Sequence, residues 1–106
     1  MAKYLIEASY TAEGAKGLAR EGGTSRRKVV EDVVRTLKGT LEAFYYAFGN
    51  VDVYAIVDLP DATSAAALSL AINQTGAVQL RTHVLITPEE VDQASKRSVD
   101  YRAPGR

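Results

Sequence analysis

The chain has 106 residues, the size of one domain, and its 46% hydrophobic and 25% charged residues are too apolar a mixture for intrinsic disorder. Thirteen basic residues balance thirteen acidic ones, so no net field draws the molecule to nucleic acid or to an anionic membrane. The absence of cysteine excludes disulfides, thiol nucleophiles and cysteine metal sites, and one histidine leaves little for a zinc site or a Ser-His-Asp triad.

Residues 3–10 (KYLIEASY) alternate as a first strand, with Tyr4, Ile6, Ala8 and Tyr10 on one face and Leu5, Glu7 and Ser9 on the other. The acidic residue at position 7 comes too early for a signal-peptide core, and no apolar run reaches the length of a membrane span, which points to a cytoplasmic protein. Thr11 is placed to N-cap a helix from Ala12 to Arg20, with Glu13 at the positive end of its dipole. Glu21-Gly22-Gly23 interrupts it. A second helix restarts at Thr24 or Ser25, carries Val29, Val30, Val33, Val34 and Leu37 as an apolar stripe, and has Gly39 as its C-cap.

Residues 40–48 (TLEAFYYAF) and 51–59 (VDVYAIVDL) form a strand hairpin about a Gly49-Asn50 turn. Pro60 ends the third strand, and Asp61 caps an alanine-rich helix from Ala62 to about Gln74, with Gly76 beyond it. Residues 77–86 (AVQLRTHVLI) alternate as a fourth strand, Val78, Leu80, Thr82, Val84 and Ile86 facing one way and Gln79, Arg81, His83 and Leu85 the other. Thr87-Pro88-Glu89-Glu90 is a capping box with proline at N1, starting a last helix that runs to about Val99; residues 100–106 are an irregular tail.

The order β-α-β-β-α-β followed by a helix is a ferredoxin-like α+β arrangement over residues 1–106. It has a four-stranded antiparallel sheet in the order fourth, first, third, second, with both crossover helices on one face. Val51, Val53, Ala55 and Val57, together with Val78, Leu80 and Val84, face those helices. The helix-free face then carries Leu5, Glu7 and Ser9; Asp52, Tyr54, Ile56 and Asp58; Glu42, Phe44, Tyr46 and Phe48; and Gln79, Arg81, His83 and Leu85. An apolar and aromatic patch of that size is disfavoured on a monomer, so two such sheets are expected to pack together, in a dimer or a larger ring, enclosing the charged positions in a cavity.

Glu7, Arg81 and His83 share that face on paired strands, with Asp52 and Tyr54 on the other side of the first strand. Together they suit acid-base chemistry: His83 moves a proton, Arg81 holds an anionic group and Tyr54 supplies a hydroxyl. The same charges suit a salt-bridged subunit interface, the commoner outcome for such a cluster, since ion pairs order interfaces without doing chemistry. Asp52, Tyr54, Tyr46 and Glu42 are the ligand-binding candidates. A metal set of His83, Glu7 and Asp52 has no supporting spacing motif, and no cofactor is indicated. Thr24, Ser25, Arg26 and Arg27, with Lys28 behind two glycines, offer hydroxyls and cations at a helix start, a setting for an anion. Their spacing is not that of a Walker loop; solvated charges behind an ordinary cap are the alternative. The six tyrosines lack the glycine-aromatic pattern of an RNA-recognition domain, so nucleic acid is not an expected partner. In the tail, Lys96, Arg97, Arg102 and Arg106 accompany Tyr101 and Pro104, which suit either docking on a neighbouring subunit or a free end.

Residues 45–61 (YYAFGNVDVYAIVDLPD) resemble the signature region of the GYD-domain family, small bacterial proteins placed among the dimeric α+β-barrel folds. Residues 10–14 (YTAEG), 23–27 (GTSRR) and 85–90 (LITPEE) extend the resemblance over almost the whole chain. At the motif that names the family Gly49 and Asp52 fit, while the tyrosine position holds Val51. The resemblance implies a fold and an assembly rather than a reaction. Related α+β-barrel families include monooxygenases, lactone isomerases, haem-handling proteins and transcriptional ligand sensors, and fold alone does not choose among them. The expected function is a homo-oligomer binding a small aromatic or anionic molecule on the helix-free face. The alternatives are a cofactor-free isomerase or monooxygenase with His83 as base, and a structural or regulatory subunit.

Overall fold

The structure, a computed structural model, describes residues 1–106. Strand β1 (Ala2–Tyr10) is followed by helices α1 (Ala12–Glu21) and α2 (Gly23–Thr36), strands β2 (Thr40–Tyr46) and β3 (Val53–Leu59), helix α3 (Ala62–Asn73), strand β4 (Val78–Leu85) and helix α4 (Pro88–Ser95). All strand pairings are antiparallel in one sheet of order β2-β3-β1-β4, the α+β arrangement the sequence implies. No helix is long and apolar enough to cross a membrane.

The caps form as the local chemistry dictates. Thr11 Oγ1 accepts from the Gly14 N–H at 3.2 Å, and Asp61 Oδ1 accepts from the Ser64 N–H and hydroxyl, each at 2.8 Å. These bonds to its ionised form hold the Asp61 carboxyl below the usual carboxylate range. At the end of α2 the left-handed residue is Lys38 (φ 62°), not the expected Gly39. Lys38 N–H donates to the Arg35 carbonyl and Gly39 N–H to the Val34 carbonyl, closing a Schellman motif. Gly39 is required for space instead: a Cβ there would collide with the Asp58 carbonyl and the Leu59 side chain. Gly14 is crowded in the same way by the Ala77 carbonyl, which lets α1 sit close to the start of β4.

The core lies between the sheet and helices α2 and α3. Tyr4, Ile6, Ala55, Val57 and Leu59 meet Val34 of α2 and Ala65 and Leu68 of α3. Only 10 of the 106 residues are buried, so each core side chain carries a large share of the stability. Helix α4 stands apart from this body: every residue from Ile86 to Arg102 is exposed. The radius of gyration is 16.9 Å, against about 13 Å for a compact chain of this length. The helix ends at Ser95, earlier than the expected Val99, where Val99 is 78% exposed and has nothing to pack on.

Two features of the hairpin depart from the sequence pattern. Leu41 pairs with Val57, but Ala43 pairs with Ile56, leaving Glu42 as the extra residue of a β-bulge. A one-residue slip exchanges the two faces. Phe44 and Tyr46, expected on the helix-free face, therefore lie opposite Ala55 and Val53 on the helix side, while Ala43 and Tyr45 face outward. The turn is also longer than two residues: β2 ends at Tyr46 and β3 begins at Val53, placing Phe48 and Val51 in the loop rather than on strands. Asp52 accounts for this. Its N–H donates to the Ala8 carbonyl at 2.9 Å and its carboxylate accepts from the Tyr10 N–H at 2.8 Å, tying the loop to the end of β1.

Candidate functional site

β1 is an inner strand, so each of its outward side chains has a neighbour on both sides. Glu7 lies opposite Tyr54 of β3 and opposite Arg81 of β4, and Leu5 lies opposite His83. Antiparallel registry with odd-numbered residues of β1 and β4 and even-numbered residues of β3 outward brings these groups to the helix-free face as the alternation predicts. Glu7 Oε1 stands 2.9 Å from His83 Nε2, with side-chain exposures of 23% and 50%. The two groups stand within ion-pair distance of each other at the open face.

Glu7, Ser9, Tyr54, Gln79 and Arg81 floor a depression of about 370 Å³, with Asn50 and Val51 of the hairpin loop at its rim. His83 stands on the other side of Glu7, outside this lining. The ion pairs of this face are Glu7 with His83 and Lys3 with Glu42 and Asp58, and Arg81 takes part in neither. Its guanidinium is therefore open to an incoming anion, and Tyr54, 40% exposed, lines the same depression from β3, across Glu7. Ser9 and Gln79 follow from strand alternation. The part played by Asn50 and Val51 depends on the loop excursion, which no local pattern announces.

Other candidates fall elsewhere. Glu42 reaches the open face through the bulge, but Lys3 Nζ holds it at 2.8 Å and Asp58 at 3.1 Å. These two bonds raise the Lys3 pKa, and the cluster lies about 13 Å along β1 from Glu7. Lys3 was absent from the candidates, although it shares the parity of Leu5 and Glu7. Asp52 is committed to the Tyr10 amide and does not converge with Glu7 and His83 on a common point.

Tyr46 lies under α2, where its hydroxyl donates to the Gly23 carbonyl at 3.0 Å and its ring contacts Phe44 edge-on. Burial, followed by the neighbouring Tyr10 hydroxyl, pushes the Tyr46 phenol up to about 12. The unfolded chain ionises this group near pH 10 and the folded chain near 12. Its contribution is thus complete below pH 10 and lost as pH climbs from 10 to 12. Tyr46→Phe is expected to lower stability at neutral pH and to flatten that alkaline decline, which denaturant midpoints measured across the interval would check.

The four anion-site candidates do not act together. α2 begins at Gly23 with Gly22 (φ 92°) as N-cap and no side-chain cap, so neither Thr24 nor Ser25 caps it. Arg26 turns back to Glu21 at 3.4 Å, and Lys28 pairs with Asp32 at 3.1 Å. Thr24 and Arg27 do share a groove of about 500 Å³ beside β2, but Glu31 and Glu42 line it too. Two carboxylates in the same groove oppose an anion.

The site that survives is the Glu7, Arg81, Tyr54 group with His83 alongside: an unpaired cation, an aromatic ring and a carboxylate-imidazole couple on an open sheet. The family model of the GYD domain matches residues 4–95. No curated protein and no solved structure matches the chain.

Proposed function

The chain belongs to the GYD-domain family, and from that premise we propose that it is a homo-oligomer that binds a small anionic, aromatic molecule over the helix-free sheet. The observation that carries this is the unpaired Arg81 guanidinium, which shares the lining of the 370 Å³ depression with Tyr54. A carboxylate or similar group meets Arg81 in paired, charge-assisted hydrogen bonds, and a flat ring lies against Tyr54. The depression is shallow on one chain and becomes a cavity when a second sheet covers it. Leu5, Ile56 and Leu85 share the face and are partly exposed, and burial of such surface favours association.

A second reading is favoured by the 2.9 Å Glu7–His83 contact. A carboxylate beside an imidazole is a pairing that acid-base chemistry uses, so the same site suits proton abstraction from a bound acid without a cofactor. Arg81 would then hold the anion while His83 removes the proton.

Native mass spectrometry of the untagged protein tests both readings. The expected result is an assembly of more than one chain carrying a small molecule. A bare monomer would remove the sheet-packing argument. With that molecule in hand, His83→Ala is expected to leave assembly unchanged, and to abolish turnover only if the acid-base reading holds; unchanged turnover disposes of His83 as the base.

A further inference from the structure

We propose that residues 87–106 form an exchange arm, which packs on the outer face of α3 in another copy of this chain. It depends on the oligomeric reading above only in needing a second copy, and it uses the opposite side of the sheet.

The arm has no support within its own chain. Every residue from Ile86 to Arg102 is exposed, including Val91 at 49%, Val99 at 78% and Tyr101 at 73%. α4 is only 8 residues long, and isolated helices shorter than about 12–15 residues are marginal in water. A helix of that length with Val91 and Ala94 on one side needs a surface to cover them. Its direction is fixed at the root: Thr87 Oγ1 accepts from the Glu90 N–H at 3.1 Å, and the Thr87 N–H donates to Glu90 Oε1 at 3.0 Å. Pro88 at N1 completes this helix start, and the chain, arm included, measures 56 Å along its longest axis against 34 and 22 Å across.

The receiving face is α3. It carries no charged residue between Ala62 and Asn73, and Ala62, Ala66 and Leu70, one turn apart, all point to solvent, Leu70 at 70% exposure. Apart from Thr63 and Asn73, the exposed positions of α3 are alanine and leucine, and an apolar helix face of this kind is ordinarily a covered one. α2 shows the contrast, since its outer surface is laced with Lys28, Glu31, Asp32 and Arg35 ion pairs. Val84 and Ile86 of the adjoining edge strand segment add exposures of 65% and 60%.

Two arguments select a second copy as the partner. The arm is acidic in its first half (Glu89, Glu90, Asp92) and net basic in its second (Lys96, Arg97, Arg102 and Arg106 against Asp100). Two arms running antiparallel about a two-fold axis therefore set each acidic half beside a basic one. Residues 87–106 plus the α3 face they cover also reach the roughly 20–30 residues a side that stable interfaces use. Such an exchange is closed and symmetric.

The test compares full-length wild type with Leu70→Asp and Val91→Asp by light scattering during dilution, with circular dichroism as the check of folding. Both residues are exposed in the single chain, so the fold is expected to survive. Each variant is expected to dissociate at least tenfold more readily than wild type; wild-type behaviour in both overturns the arm. Ile56→Lys, on the open sheet face, separates the two readings. Loss of assembly in Ile56→Lys with both arm variants intact overturns the arm and keeps the sheet interface, the converse supports the arm alone, and a monomeric wild type overturns both. A second measurement avoids disruptive residues. The chain is free of cysteine, so Leu70→Cys and Val91→Cys chains, mixed and treated with a short bismaleimide, are expected to yield a crosslinked pair with one chain of each kind. Failure to form that mixed pair overturns the proposal.

Discussion

Replacing Leu59 by alanine is expected to cost about 3–4 kcal/mol, which would leave the domain close to its unfolding threshold at physiological temperature. Leu59 is fully buried at the end of β3, against Val34 of α2 and beside Gly39, whose missing side chain lets the α2–β2 connection close over it. The backbone around it is pinned by the Schellman motif and the β1–β3 ladder, so the cavity cannot collapse easily, and cavities that stay open fall toward the expensive end of the Leu→Ala range. For a chain of this size the loss corresponds to a fall in Tm of roughly 15–20 °C. Chemical denaturation at a fixed protein concentration checks it, because association adds to apparent stability. A loss of about 1 kcal/mol or less would show that the centre of the core lies elsewhere.

Arg81→Ala is expected to weaken binding of the retained molecule by about 10- to 100-fold, the scale of one charge-assisted contact. The guanidinium stands outside the ion pairs of the sheet, so its removal leaves no protein carboxylate newly unpaired, and the loss should appear in binding rather than in folding. Arg81→Lys keeps the charge but not the planar fork, and should recover only part of the affinity. Titration calorimetry with the identified molecule, alongside light scattering, separates binding from assembly. Unchanged affinity in Arg81→Ala would move the site off this face.

The parts of this molecule that were legible in its sequence are those decided within a few residues. Thr11, Asp61 and Thr87 cap their helices because each side chain reaches an amide three residues on, and the sheet order follows from the succession of strands and crossovers. Glu7, Arg81 and His83 were found together because alternation in β1 and β4 fixes which side chains share a face. The bulge at Glu42 was invisible for the opposite reason: it is a property of how β2 meets β3, and both parities of residues 40–46 contain aromatics. Tyr46 was consequently placed on the wrong side of the sheet. The loop of residues 47–52 was equally hidden, since the contacts that lift Asp52 out of the hairpin come from Ala8 and Tyr10, some forty residues earlier. Lys38 took the left-handed position that glycine next to it seemed made for, because Gly39 was needed where no side chain fits.

The bulge also makes the two borders of the sheet unlike each other. β2 and β4 are both edge strands, but β2 is broken by an extra residue and flanked by the Lys3–Glu42 pair, devices that discourage a foreign strand from adding. β4 runs for eight residues, Val78–Leu85, without an interruption in its pairing to β1. Growth of the sheet by strand addition is therefore one-sided, and the open border is the one that carries Arg81 and His83. Whatever comes to lie along β4 decides both how far the sheet extends and how much of those two side chains still meets solvent.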